Sequence, residues 1–335
     1  MGPVRTRPKV PIVEGRGPCR RPLVPAYRAG MDKAASTSQR TPVVVGVDGS
    51  RSHLATVDLA VVEAERRRAP LLIVHVWPGR YTGTGPVPME ADGRHLLELA
   101  ARRALHRAPD LQISTELADG GTAAALVQRS MHSQLLVVGH RDDVQTWHGW
   151  GSTTAYLAHH SACPLLVHRG AALDRGPIVV AVSTSASAEA TVRCAFEEAS
   201  RFGARLVAVH VWTHPSGRET TRSTVVADYA ADRDQADQRL AEALAGSAAA
   251  YPDVEVDRLV LHDLDVAYTL ERASQRGRLL IAGMGRNGRF AEMLYGSLGR
   301  SMMRRSACPV LLIPDHWEAP LLQDHAPTVP AKGAD

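Results

Sequence analysis

Two stretches of this chain carry residue types and spacings suited to holding an anion. After the apolar run LLIAGM the sequence reads Gly283, Met284, Gly285, Arg286, Asn287 and Gly288, and twelve residues separate Gly283 from the pair Gly296 and Ser297. An earlier stretch has Gly139, then Asp142, then Gly151, Ser152 and Thr153, with one residue fewer before its Gly-Ser pair. Glycines let backbone N–H groups approach phosphate oxygens closely. A Gly-Ser pair that opens a helix adds unsatisfied N–H groups, the helix dipole and a hydroxyl. The chemistry these residues suit is phosphate binding. The literal GxGxxG at 283–288 is not a dinucleotide fingerprint, because it follows the fourth strand of its unit rather than the first. Arg304 and Arg305 also stand about 20 residues on, where that fingerprint carries an acid. No GxxxxGK[ST] occurs, which excludes a P-loop.

These loops must be positioned by strands and helices, and the pattern of elements is regular from Thr41 onward. Apolar, β-branched runs alternate with helical stretches. In the first half the strands are expected at 42–48, 70–77, 111–117, 134–140 and 164–168. In the second they are expected at 177–183, 204–212, 254–261, 278–284 and 309–313. Runs this short and apolar suit strands buried on both faces. Segments 52–68, 90–108, 187–202 and 228–250, rich in Ala, Leu, Arg and Glu, read as amphipathic helices. The alternation predicts doubly wound parallel sheets with right-handed crossovers.

The chain repeats itself. HVW at 75–77 recurs at 210–212, an offset of 135, whereas SACP at 161–164 recurs at 306–309, an offset of 145. Ten extra residues therefore lie in between in the second half. Matches at corresponding places in the element order establish an internal duplication. The expected domains are 41–169 and 177–315, joined by a linker at 170–176, with a disordered basic segment at 1–40 and a tail at 316–335. Met31 opens MDKAASTSQR directly before the first strand and stands as an alternative start to Met1.

The layout of Gly283, the following glycine-rich residues, Gly296 with Ser297, an apolar helix, SACP and a last strand resembles the universal stress protein family. In its ATP-binding members a glycine, two residues, a second glycine and nine residues precede Gly-Ser or Gly-Thr. GVDGS at 46–50 is similar to that family's first strand, which ends in an adenine-contacting Asp, and the HVW segments are similar to its second. The resemblance covers nearly all of 42–315, twice. It implies two tandem flavodoxin-like α/β domains, each with a five-stranded sheet of order 3-2-1-4-5, paired through their fifth strands as a pseudo-dimer. It also implies nucleotide contacts from Val47, Asp48, Val76, Gly139, Arg141, Gly151, Ser152 and Thr153 in the first half. In the second half the contacts fall on Val211, Gly283, Gly285, Arg286, Gly296, Ser297 and Leu298.

Neither copy keeps the whole pattern. Asp142 stands where the first half's second glycine belongs, and a carboxylate facing phosphates costs affinity. Trp147, His148 and Trp150 crowd the same loop, as a lid or a partner surface. The second half has Arg286 at that glycine, with Gly285 beside it, and Ser183 in place of the Asp. Arg286 suits phosphate, while Ser183 holds a base or ribose less firmly. The first half is thus the better adenine site and the second the better phosphate site. An alternative is that Gly283, Gly296 and Ser297 only make a turn and a helix cap.

Composition excludes several classes. Residues 1–40 carry nine Lys or Arg against two Asp or Glu, so of the whole chain's net +4 the rest contributes −3. The basicity belongs to the N-terminal segment, and nucleic acid is not the expected partner. Four scattered cysteines with no CxxC argue against a metal site. No run approaches 18 apolar residues, and the N-terminus lacks the apolar region of a signal peptide, so no membrane is expected. Cys163 and Cys308, each before a proline, read as small buried residues. His75 and His210 read as packed or hydrogen-bonded, and Asp119 and Asp263 as N-caps.

The function implied is that of a cytoplasmic stress-response protein that binds ATP, with Mg2+, or a related adenine nucleotide as a regulatory or structural ligand. Two other readings stay open: a nucleotide-independent scaffold for a protein partner or a homodimer, and a slow ATPase. The only candidate base beside the phosphates is Asp142, and no catalytic residue is assigned.

Overall fold

The computed structural model describes residues 41–50, 52–77, 90–140, 152–170, 175–183, 188–212, 222–262, 266–284, 306–314 and 317. The segment 1–40, and the tail apart from Trp317, lie outside the described residues. In the first half the order is β1 (Val43–Val47), α1 (His53–Arg67), β2 (Leu71–Trp77), α2 (Glu90–Arg107), β3 (Ile113–Asp119), α3 (Thr122–Ser130), β4 (Leu135–Gly139), α4 (Ser152–His160) and β5 (Leu165–His168). The second half follows with β6 (Ile178–Ala181), α5 (Glu189–Phe202), β7 (Leu206–Trp212), α6 (Arg222–Ala250), β8 (Val256–His262), α7 (Val266–Ser274), β9 (Leu279–Gly283) and β10 (Val310–Ile313).

All ten strands join one sheet, in the order β3-β2-β1-β4-β5-β10-β9-β6-β7-β8. Each half is therefore a 3-2-1-4-5 sheet, and the two meet at their fifth strands. Every pairing within a half is parallel, while β5 and β10 run antiparallel, with Leu166 opposite Leu311. Those two leucines are themselves 145 residues apart, the offset of the repeat. A pseudo-twofold axis thus passes between them.

Alternation along the strands builds two cores, one on each face. Val43, Val45, Leu71 and Ile73 meet Val57, Val61 and Ala64 of α1 and Leu97 and Ala100 of α2 on one face. Ile178, Val180 and Leu206 do the same against Phe196 of α5 and Leu240 of α6. The other face carries Val44, Val74, Leu136 and Val138 against Leu126 of α3 and Leu157 of α4. Both faces being covered is what makes the strand runs continuously apolar.

Two local features differ from the sequence expectations. The third strand runs to Asp119, so this residue ends β3 and does not cap α3; the N-cap is Gly121, with no side-chain cap. The register Trp77↔Asp119 draws it into the ladder. Asp263 lies outside the described residues. In the second half, α6 begins six residues before the expected start at 228 and has 29 residues against 18 in α2. The extra residues of the second half are thus largely helix.

Candidate functional site

At the carboxyl edge of the first half the chain leaves the first and fourth strands toward α1 and α4 on opposite faces, and the crevice so formed is where open α/β sheets take ligands. Val47 is the last residue of β1 and Asp48 follows it at once. The Asp48 Oδ1 accepts the Ser50 N–H at 3.0 Å, and Gly49 between them takes φ +74°, a conformation that favours glycine. The turn is then tied into α1. The Ser50 and Ser52 hydroxyls lie 3.3 Å apart, and His53 Nδ1 donates to the Ser50 carbonyl at 2.5 Å. Thr56 Oγ1 donates to the Ser52 carbonyl and lies 3.3 Å from His168 Nδ1 at the end of β5.

Val76 sits one residue beyond His75, the register partner of Val47, and is buried on the α3/α4 face. His75 Nδ1 donates to the Val47 carbonyl at 2.8 Å, and His210 Nδ1 donates to the Val182 carbonyl at 2.9 Å. The histidines therefore satisfy the carbonyl that ends β1 in the first half and the one just past β6 in the second.

Gly139 ends β4 opposite His168. A Cβ there would lie 2.9 Å from Thr56 Oγ1, and a Cβ on Gly283, which ends β9, would lie 2.5 Å from Thr191 Oγ1. Each glycine thus lets the first turn of α1 or α5 pass close over a strand end. That requirement holds with or without a ligand. Helix α4 starts at Ser152, so its unsatisfied N–H groups and positive dipole end lie just past the glycine-rich segment, and half-buried Thr153 is in its first turn. The structure so brings Val47, Asp48, Val76, Gly139 and the start of α4 to one edge. Arg141, Asp142, Trp147, His148, Trp150 and Gly151 lie outside the described residues.

The second half offers a different edge. Val211, half-buried, is the penultimate residue of β7, and Ser183 lies two residues past β6. Gly285, Arg286, Gly296, Ser297 and Leu298 lie outside the described residues. Not singled out in the sequence is a cluster of three rings: Trp212 packs 4.7 Å from His262 and 5.2 Å from Tyr229, centroid to centroid, and the latter two are 5.4 Å apart. Trp212 and His262 are register partners, whereas Trp77 in the first half faces Asp119. Tyr229 arrives on the part of α6 that has no counterpart in α2. His53 was likewise unmarked in the sequence. Its Nδ1 is engaged and its enclosed Nε2 has no hydrogen-bond partner among the described residues, which leaves an acceptor beside the Asp48 turn.

Cys163, Cys194 and Cys308 are free and buried. Burial pushes the Cys163 thiol up, pushes Cys308 up to about 11, and raises Cys194 well above the ordinary value with help from Glu198 and Glu197. Protonated thiols of this kind are poor nucleophiles and poor metal ligands. Among the described residues no group of three His, Cys, Asp or Glu side chains could hold a metal ion. Nor, among them, is any helix long and apolar enough to cross a membrane.

A model of the universal stress protein family matches this chain twice, over residues 39–169 and 175–314. A universal stress protein of Mycobacterium tuberculosis is 30% identical over 288 residues, covering 81% of this chain and 95% of the relative. One from Mycolicibacterium smegmatis is 32% identical over 287 residues, covering 81% and 96%. Among solved structures, a universal stress protein from Archaeoglobus fulgidus superimposes with a TM-score of 0.57 at 15% identity, over 82% of this chain and 97% of that one. At that identity the likeness speaks for the fold alone.

Proposed function

The chain belongs to the universal stress protein family, and from that premise we propose that it is a cytoplasmic stress-response protein that binds ATP, or a related adenine nucleotide, as a regulatory or structural ligand. The observation that carries this reading is the convergence, at the switch point of the first half, of the Asp48 turn and the N-terminus of α4. The donor and acceptor set fits such a ligand in kind. The Asp48 carboxylate suits an exocyclic amine or a ribose hydroxyl, and the N–H groups opening α4 suit a phosphate. In this reading 41–169 and 177–315 are the two domains and 170–176 is the linker. Val47, Val76 and Thr153 line the first site, while Val211 and Gly283 belong to the second. The Mg2+ accompanies the phosphates, and a protein partner or a second chain receives the signal.

The role proposed is occupancy rather than turnover. Among the described residues of the first crevice, Asp48 is held in a turn and His75 is bonded to a backbone carbonyl, so neither is poised as a general base. A thermal-shift titration with ATP and Mg2+ tests the proposal. Ligand at 100 times Kd stabilises the folded form by about 2.7 kcal/mol, and a melting temperature that stays fixed up to millimolar nucleotide overturns it.

A second reading is favoured by the packing that Gly139 and Gly283 satisfy without a ligand. On it the paired halves are a scaffold, melting is indifferent to nucleotide, and the chain is retained by a protein partner whether or not ATP is present.

A further inference from the structure

On the face covered by α1 and α5, away from the carboxyl edges, the two halves touch through a buried cluster of charges. Arg67 of α1 pairs with Glu63 on its own helix and, at 2.5 Å, with Glu198 of α5 in the other half. Their side chains are only 7%, 5% and 2% exposed. Glu198 Oε1 also takes Arg201 at 2.7 Å, and Arg201 reaches Glu197. Beside this, the Arg66 guanidinium of the first half lies 3.9 Å over the Phe202 ring of the second, and Arg278 lies 4.1 Å from the same ring.

The pseudo-twofold axis makes the asymmetry of this cluster legible. Glu63 and Glu198 are counterparts, 135 residues apart, and so are Arg66 and Arg201. Arg67, however, corresponds to Phe202. Each glutamate has an arginine three residues on along its own helix, but only Glu63 has a second one four residues on. Glu198 lacks that second cation and receives it from across the seam. A buried carboxylate without enough cations is strongly destabilising. Two second halves brought together about the same axis would set each Glu198 against a Phe202 ring, with no arginine in place of Arg67. A first half supplies the missing guanidinium.

We propose that the end of α1 bearing Arg66 and Arg67 is a selective docking face whose partner is a second half of this chain, and that the second half cannot pair with another second half. The seam strands β5 and β10 do not themselves make this distinction, because their facing residues are all Leu or Val. Selectivity comes from the helices and is independent of any nucleotide.

The test exchanges the two asymmetric residues in the full-length chain. Arg67→Phe gives the first half the second half's residue and leaves Glu198 facing rings. It should lower the melting midpoint by roughly 5–10 °C. It should also speed amide exchange at β5 and β10 by at least about tenfold, with β1 and β6 holding their protection. Adding Phe202→Arg places a guanidinium four residues after Glu198 and, by the pseudo-symmetry, across from Glu63, which mirrors the clasp. The double variant should regain most of the midpoint and of the seam protection. An R67F protein that melts and exchanges like the wild type overturns the proposal, and so does a double variant no better than R67F. If R67F does not fold at all, the double variant decides: folded it supports the proposal, unfolded it overturns it.

Discussion

In the first half β1 runs out into Asp48, whose carboxylate closes a turn onto Ser50, and the neighbouring β2 and β3 end in Trp77 and Asp119. In the second half β6 runs out toward Ser183, and β7 and β8 end in Trp212 and His262 with Tyr229 packed on them. The frame beneath is the same: each half has a histidine on a carbonyl at the end of its first strand, Val47 of β1 or Val182 just past β6, and a threonine against the glycine that ends its fourth. Duplication has kept what holds a strand end in place. What faces outward from that end has changed, because an exposed edge is not bound by close packing. The two halves are one scaffold with two finishes.

The largest effect that would sharpen this contrast is on binding. Asp48→Asn keeps the Oδ1 acceptor of the turn but removes the charge, and it should weaken ATP binding by about 1.5–3 kcal/mol, roughly ten- to a hundredfold. Ser183→Asn in the second half should leave the affinity unchanged. Calorimetric titration of the two variants would break the contrast if they behaved alike.

Next is alkaline stability. The Cys308 thiol is held up at about 11 by burial, against an ordinary value of 9.0. The folded state therefore favours the protonated thiol, so this contribution is complete below about pH 9 and is lost as pH rises through about 11. Two units correspond to at most about 2.7 kcal/mol. Urea unfolding between pH 8 and 11 should show that loss in the wild type and a flatter profile in Cys308→Ala. Cys163, its counterpart, is also raised by burial but is opposed by the Ser133 hydroxyl as well as by Ser161, so Cys163→Ala should flatten the profile less.

The smallest effect concerns the shared frame. Gly283→Ala drives a methyl to 2.5 Å from Thr191 Oγ1, and Gly139→Ala drives one to 2.9 Å from Thr56 Oγ1. They should cost about 2 and about 1 kcal/mol respectively. Adding Thr191→Ala should recover much of the first. Equal costs in denaturant melts would show that the two frames are not as differently tight as the structure makes them.

Much of this fold was legible in the sequence because the eight strands inside the sheet, all but the edge strands β3 and β8, are largely buried and built mostly of Val, Leu, Ile and Ala. The duplication was legible for the same reason, since HVW and SACP sit where packing permits little change. The sequence puts β3 two residues early, at 111–117, because Ser114 and Glu116 interrupt its apolar run, and the real end is set by pairing with β2. It puts the start of α6 at 228 because RSTVVA carries no helical period before the long Ala-rich stretch. Local spacing could show neither the ring cluster nor the interdomain clasp. Residues 212, 229 and 262 come from three elements, and Arg67 and Glu198 are 131 residues apart. Read along one helix, those charges look like an ordinary solvated face, whereas the structure buries Glu63, Arg67 and Glu198 where the halves meet. At the site, Asp48 and Gly139 were visible as a motif, but the reason for Gly139 was not, because Thr56 approaches it from another element.

Amide hydrogen exchange of the full chain, with and without saturating ATP and Mg2+, tests whether an adenine nucleotide occupies the carboxyl edge of the first half. Bound nucleotide should slow exchange at residues 47–50 and in the first turns of α1 and α4, with the β5 and β10 seam unchanged. Exchange at those residues that is identical with and without nucleotide would contradict it.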